Sequence, residues 1–554
     1  MGKQARADIE PLPPGLVDGL REPAAYPLDP GAADGVASVQ THISHVYLTE
    51  SRVYKLRKAV DLGFLDFSTR RIRNNDCLRE VALNRRLASD VYLGLAPLVC
   101  ADGAVRVGAV QESVSDPDLE YCVVMRRLPK GRDSVSLIER GAFGAREVDR
   151  IAQAVVGFHQ RYALGRPAPF QPVEWLEAIS KPVEDNFTPM AGVISSDRID
   201  RLADLARRFL RTHRADFEKR RIEGRAVDGH GDLHLAHVWF ETDDGSPLFI
   251  DCIEFSDQLR YIDAASEVAF LAMDLRYRGH ADLAERFLRR YASESDDFHL
   301  YCVVDYFSSY RAAVRAKVAA IAAGESELPE TQRRAARESA RRHFDLASDA
   351  LGAPRRAAVI LMTGIVGTGK STAANAIAEG LDAAVVVASD RVRKHLAGIA
   401  ASDHGGAEVD AGIYSQEFTQ RVYTGLLERS EPVTNSGRVV VLDATFSSQD
   451  HRAQAVEFAR ARGLPVLIVE TRSSRGRTIQ RLEDRARDAN DPSDAGPEFH
   501  AASVARFVPV EKPAEGDHIV VDTESPSWKR DLQARVRDWR RVALQGNPTR
   551  LERR

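Results

Sequence analysis

Apolar and polar positions follow two different rhythms along this chain, and the change of rhythm falls near residue 354. In the first part, "THISHVYLTESRVYKLRKAV" (41–60) alternates with period two. With Val46, Leu48, Val53 and Leu56 as apolar markers, it predicts two strands joined by a tight turn. "LREVALNRRLAS" (78–89) has helical spacing, with Leu78, Ala82, Leu83 and Leu87 as its expected buried face. "AVRVGAVQ" and "EYCVVMRRL" (120–128) return to strand character. From about 134 to 225 the period is mainly helical, broken at "PAPFQPVEW". Two short strands, "HVWF" and "PLFIDCIEF", come next, and helices dominate from 261 to 350. Residues 1 to about 35 are rich in Pro, Gly and Ala and predict an irregular opening segment with one short helix at "GLVDGLREP".

Beyond 354 the apolar runs are continuous: "AAVILMTG", "AAVVVAS" (383–389), "RVVVLDATF" (438–446), "PVLIVET" (465–471) and "HIVVDT" (518–523) alternate with helical stretches. Strands apolar on both faces and separated by helices predict a parallel sheet covered on both sides. The expected organisation is therefore two domains, 1–353 of mixed α+β character and 354–554 of α/β character. A length of 554 residues is too great for one ordinary core.

Composition narrows this little. Hydrophobic residues make up 44% and charged residues 29%, and no apolar run approaches the roughly 20 residues that span a bilayer. "MGKQARADIEPLPPGL" lacks the apolar centre of a signal peptide, so a cytoplasmic, membrane-free protein is expected. A net charge of −4 gives no sign of a nucleic-acid partner. Cys77, Cys100, Cys122, Cys252 and Cys302 show neither CxxC nor Cys/His metal spacing, which argues against a disulfide framework or a zinc site and for buried thiols.

The strongest chemical signal is "GIVGTGKS" (364–371), which fits GxxxxGK[ST] between a predicted strand and a predicted helix. Gly364, Gly367 and Gly369 let backbone N–H groups curl around phosphates, and the helix start at Thr372 adds its positive end. Lys370 reaches the β and γ oxygens, and Ser371 can hold Mg²⁺. Asp390 and Arg393 follow the next strand in "ASDRVRKHL", and Asp443 ends another, where a carboxylate can hold Mg²⁺ or its water shell. In "RTIQRLEDRARD", Arg477, Arg481 and Arg485 recur every four residues, on either a solvated face or a lid of arginines. This half resembles the small P-loop kinases related to gluconate kinase, polynucleotide kinase and zeta-toxin-like enzymes. The resemblance implies phosphotransfer, with Asp390 and Arg393 at the acceptor hydroxyl and Arg481 and Arg485 neutralising phosphate charge.

A second motif stands earlier. "HGDLHLAH" (230–237) resembles the catalytic loop of aminoglycoside phosphotransferase-like kinases, HGDxHxxN, with His237 where that pattern has asparagine. The resemblance implies that Asp232 orients the acceptor proton, that His237 and Asp251 of "FIDCIEF" hold a metal, and that Lys55, paired with Glu80, contacts the α and β phosphates. Lys58 is a rival to Lys55. Among the acidic residues after Asp251, namely Glu254, Asp257, Asp263 and Glu267, Asp263 matches the family position that orders the catalytic loop. An imidazole is a poorer ligand than oxygen for Mg²⁺, so weaker metal binding is expected.

Over nearly its whole length, in "THISHVYL", "DLGFLDFST", "LNRRLA", "AFLAMDL" and "SDRVRKHLAG", the chain resembles the bacterial family described as bifunctional aminoglycoside phosphotransferase/ATP-binding proteins. That implies a protein-kinase-like fold followed by a P-loop NTPase fold, ATP and Mg²⁺ as cofactors, and a small hydroxylated substrate. Three readings stay open: two phosphotransfer sites; one P-loop kinase regulated by a nucleotide- or metabolite-binding pseudokinase; or a zeta-toxin-like or RNA-end kinase. The sequence leaves oligomeric state and acceptor unassigned.

Overall fold

The computed structural model describes residues 9–63, 65–101, 103–353, 355–399, 412–487, 498–510 and 516–545. The chain forms two compact units, Met1–Pro169 with Glu223–Leu271, and Phe170–Ile222 with Ala272–Arg554. The junction near 354 thus falls inside the second unit, since the helices from 272 to 352 group with the P-loop segment.

In the first unit, strands β1 (Ala37–Gln40), β2 (Ser44–Leu48), β3 (Arg52–Arg57), β4 (Tyr92–Ala101), β5 (Ala104–Val107) and β6 (Glu120–Arg126) form an antiparallel sheet in the order β1-β2-β3-β6-β4-β5. The predicted hairpin is β2–β3, and its register sets Lys55 between Val46 and Val123. Strand β4 was not signalled by its sequence because Gly94 and Pro97 interrupt the pattern. Gly94 sits at a register shift against β6 with φ of 146°, and a Cβ there would meet the Gln111 carbonyl oxygen at 2.7 Å. Cys100, expected to be buried, is exposed near the end of β4, at the edge hairpin with β5.

The helix Arg70–Asn84 lies against β4 and β6, but its buried face is not the expected one. Arg73, Asn74, Asp76, Cys77, Glu80, Val81 and Asn84 are buried, while Ala82 is exposed and Leu78, Leu83 and Leu87 only half-buried. Ion pairs explain the inversion. Arg73 meets buried Glu120, and Asp76 and Glu80 meet buried Arg57, so charges satisfied within the sheet replace an apolar stripe. Two short ribbons, β7 (Ala226–Asp228) with β10 (Tyr261–Asp263) and β8 (Val238–Trp239) with β9 (Leu248–Phe249), carry the loops that form the site below.

In the second unit, β11 (Val359–Thr363), β12 (Ala384–Ala388), β13 (Val439–Asp443), β14 (Val466–Arg472) and β15 (Asp517–Asp522) form a wholly parallel sheet, ordered β12-β13-β11-β14-β15. Each of the five apolar runs became a strand, and their residues with those of Lys370–Gly380 and Trp528–Gln545 fill one core. Helices Ala281–Ser295 and Val304–Gly324 belong to this unit too. Arg438, fully buried just before β13, donates from Nη1 and Nη2 to Asp305 at 2.9 Å each, with Glu285 beside it. Arg429 pairs with Asp296, and Arg391 with Glu294 at 3.0 Å. Among the described residues no helix is long and apolar enough to cross a membrane.

His343, on the helix Glu330–Gly352, is buried, stacks on Tyr277 with ring centroids 3.7 Å apart, and donates from Nδ1 to the Ser339 carbonyl at 2.9 Å. Burial pushes its pKa down to about 4. An unfolded histidine titrates near 6.5, so the unfolded chain binds the extra proton and stability falls as pH drops from about 6.5 to 4. The expected contribution is up to about 3 kcal/mol. Denaturant melts of wild type and His343→Phe at pH 7 and pH 4.5 check this: the variant should lose measurably less, and equal losses would rule out His343 as a source.

Candidate active sites

In the first unit, β3 places Lys55 and Arg57 two residues apart, hence on the same face of the sheet. Lys55 Nζ donates to Glu80 at 3.0 Å and to Asp251 at 2.6 Å. Lys58 instead donates to the Thr41 carbonyl, so the structure favours Lys55 over its rival. Beneath it lies a hub that sequence reasoning missed. Arg57, fully buried, pairs with Asp76 at 2.6 Å, Glu80 at 2.5 Å and Glu254. Its only signal was the K-x-R alternation of a strand. Two cations among Asp76, Glu80, Glu254 and Asp251 leave negative charge in excess; burial raises the Glu254 and Asp76 carboxyls against the pull of Arg57.

The loop "HGDLHLAH" is held from below by Glu267, not by Asp263 as the resemblance implied. The Glu267 carboxylate accepts the backbone N–H of His230 at 2.8 Å and of Gly231 at 2.9 Å, and His159 donates to it at 3.1 Å. Burial opposes its ionisation, but those donors bring its pKa down to about 2. Asp263 caps the next helix by accepting from Ala265 N at 2.8 Å, and Asp257 pairs with Arg79 and Arg260. The acidic run after Asp251 is therefore engaged in structural pairs.

Asp232, His234, His237 and Asp251 come together. His237 Nδ1 lies 3.0 Å from the Asp232 carbonyl, which can only accept, so Nδ1 carries the proton. The Nε2 lone pair then faces Asp251 Oδ2 at 3.6 Å. Burial, and after it the neighbouring His234, push His237 down to about 4, which keeps it neutral near pH 7. Burial would raise Asp251, yet Lys55 outweighs it and holds the carboxyl well below its usual range. Asp232 is likewise held ionised, chiefly by His234. His237 thus stands between the two carboxylates, Asp251 on its Nε2 side and Asp232 on its Nδ1 side, and one ligand atom from each of Asp232, His234 and His237 lies within 4.8 Å of the others, a donor set that a divalent cation would complete. Asp251 has φ of 64°, with its N–H donated to Tyr92 Oη at 3.0 Å, a constraint that aims its side chain.

In the second unit the P-loop lies between β11 and the helix Lys370–Gly380. Gly364, Gly367 and Gly369 have φ of 138°, 82° and 90°; at Gly367 a Cβ would lie 2.7 Å from the Thr478 methyl. Lys370 Nζ donates to the Ile365 carbonyl at 2.9 Å, curling back over the loop, while Ser371 and Thr372 are exposed at the helix start. Parallel pairing sets Ala388 beside Asp443, which brings Asp390, Asp443 and the P-loop to the carboxyl ends of adjoining strands. Arg393 donates to the Ile413 carbonyl and sits 4.7 Å from the Tyr414 ring centroid, so it is engaged with its own domain.

Of the three arginines spaced four apart, two have described side chains. Arg481 turns toward the P-loop, donating from Nη1 to Thr523 Oγ1 at 2.8 Å and from Nη2 to the Thr523 carbonyl at 3.0 Å, whereas Arg477 is exposed and bonds Gln480. The side chain of Arg485 lies outside the described residues. Cys302 follows His299 by three residues, and both lie beside Asp216.

A family model described as "Phosphotransferase enzyme family" matches residues 50–301, and one described as "AAA domain" matches 359–510. The uncharacterized protein Rv2004c of Mycobacterium tuberculosis is 34% identical over 479 residues, 84% of this chain and 89% of that protein. Among solved structures, a choline/ethanolamine kinase family protein from Mesorhizobium loti aligns at 13% identity and TM-score 0.38, covering 61% of this chain and 95% of its own. A gluconokinase from Sinorhizobium meliloti 1021 aligns at 18% identity and TM-score 0.25, covering 35% and 100% respectively.

Proposed function

Because the chain belongs to the bacterial two-domain family in which an aminoglycoside-phosphotransferase-like kinase domain precedes a P-loop kinase domain, we propose that it is an ATP-dependent phosphotransferase acting on hydroxyl groups of small molecules at two sites. The observation that carries this reading is the shared strand-end placement of the P-loop, Asp390 and Asp443. The P-loop N–H groups and Lys370 would hold the phosphates, with Ser371 and Asp443 toward the metal. Asp390, half-buried at the start of the helix Ser389–Ala397, is the residue for the acceptor hydroxyl, and Arg481 for phosphate charge.

In the first unit the Lys55–Glu80 pair is formed, which supports a site competent for transfer rather than one kept only for binding. Asp232, held ionised, would take the acceptor proton on its carboxylate, and His237 with Asp251 would hold the cation. When bound, that cation neutralises charge on the transferring phosphoryl group.

The test is ATP turnover against sugars, sugar acids and amino alcohols, with products identified by phosphorus NMR. Turnover with no acceptor in such a panel, in wild type and in each single-site variant, would count against the reading. His237 makes a sharper prediction. An imidazole favours transition-metal ions, so in a Lys370→Ala background the remaining activity should prefer Mn²⁺ to Mg²⁺. His237→Asn should then tighten apparent Mg²⁺ affinity by about tenfold. An unchanged metal profile would remove His237 from the cation site.

A further inference from the structure

Away from both phosphate sites, four side chains of the second unit meet in two sequence pairs, each three residues apart: His213 with Asp216, and His299 with Cys302. His213 ends the helix Ser196–Thr212 and Asp216 starts Arg214–Ile222, while His299 and Cys302 share the single 3-10 segment Phe298–Cys302. One ligand atom from each of Asp216, His299 and Cys302 lies within 4.8 Å of the others. Next to them, fully buried Arg220 and Asp297 form a two-pronged pair at 2.8 Å, which fixes the two segments in register.

Hydrogen bonding explains part of the cluster. His213 Nδ1 donates to Asp216 Oδ2 at 2.8 Å, and His299 Nε2 donates to Oδ1 at 3.0 Å. Nε2 is thus the ring nitrogen turned into the cluster, while Nδ1, buried with no hydrogen-bond partner, is the position to which the ring proton can move when Nε2 takes a metal. The buried Cys302 thiol also donates to this carboxylate, so an imidazole, a thiol and a second imidazole all converge on Asp216.

We propose that Asp216, His299 and Cys302 form a binding site for a divalent transition-metal ion of the zinc class. A thiolate, an imidazole and a carboxylate are the donors this ion selects. On binding, the Cys302 S–H bond breaks and its proton passes to solvent, the His299 proton moves from Nε2 to Nδ1, and Sγ–metal and Nε2–metal bonds form; thiolate and carboxylate together balance the two positive charges. Asp216 and His213 retain partial exposure, 29% and 28% of their side chains, which leaves solvent the fourth position. His213, on the other carboxylate oxygen, fixes the direction in which Asp216 points.

The test uses the full-length protein, stripped with a chelator and titrated with Co²⁺. One equivalent should give the near-ultraviolet thiolate-to-cobalt charge-transfer band, displaced by Zn²⁺, and Zn²⁺ alone should raise the melting temperature. The band should vanish in Cys302→Ser and in His299→Gln and persist in Cys100→Ser. Cobalt bound at Asp232, His234 and His237 gives no thiolate band, so the two sites are told apart. Absence of the band in folded wild type overturns the proposal, as does its survival in Cys302→Ser. Should Cys302→Ser fail to fold, His299→Gln and Asp216→Asn decide, and a band of undiminished intensity in both overturns it.

Discussion

Replacing Asp305 with alanine is expected to destabilise the protein by about 3–5 kcal/mol, the usual cost of leaving a buried charge without its partner. Asp305 is buried and accepts from Arg438 and from Arg355. Burial alone would raise its carboxyl; Arg438 overrides that and keeps it below the usual range. Among the described residues Arg438 would keep the Tyr301 ring, 5.0 Å away, and Glu285, whose contacts at 3.3 and 3.4 Å are longer than the pair removed. The double variant Asp305→Ala with Arg438→Met should recover part of the loss, because no charge is then stranded. Denaturant unfolding of the four proteins in the cycle measures this, and a single-variant cost under about 1 kcal/mol would show that Arg438 reaches water. Since Arg438 immediately precedes β13 and Asp443 ends it, the damage should extend to the P-loop site.

Removing the Lys370 ammonium is the second large effect. Lys370→Ala should lower phosphotransfer at the P-loop site by about a hundred- to a thousandfold, the range for losing one preorganised charge donor. Isothermal titration with ATP and Mg²⁺ separates the halves: two sites in wild type should become one in the variant. A fall from one site to none would mean that the HGDLHLAH loop belongs to a domain that does not take ATP, and two retained sites would remove Lys370 from the phosphates.

What the sequence made legible divides along physical lines. The five strands of the parallel sheet were readable because burial on both faces writes itself as an unbroken apolar run. Lys55, Glu80, Asp232, His237 and Asp251 were marked out by the resemblance to a kinase family, and the structure brings Lys55, Glu80 and Asp251 into contact. Arg57 was not, because a charge buried among three carboxylates looks in sequence like any polar strand position. The same blindness misassigned the buried face of Arg70–Asn84, where polar side chains are inside because their partners are inside too. Glu267 was passed over for Asp263, since both are acids near one loop and only geometry shows which carboxylate meets the His230 and Gly231 amides.

The split composition of the second unit bears on how the protein is made. Phe170–Ile222 belongs with Ala272–Arg554, yet it is synthesised first, and Asp297, which buries Arg220, follows 77 residues later. At about 5–20 residues per second, the ribosome leaves that early segment waiting for seconds before its first partner is in the chain. During that interval the guanidinium of Arg220 and the face of Phe217 that ends against Tyr306 and Phe307, all buried at the end, have no partners yet made. Slowing translation between 222 and 297 should therefore lengthen chaperone occupancy and lower soluble yield, whereas slowing it after 359, when the helical segments are already present, should do so far less.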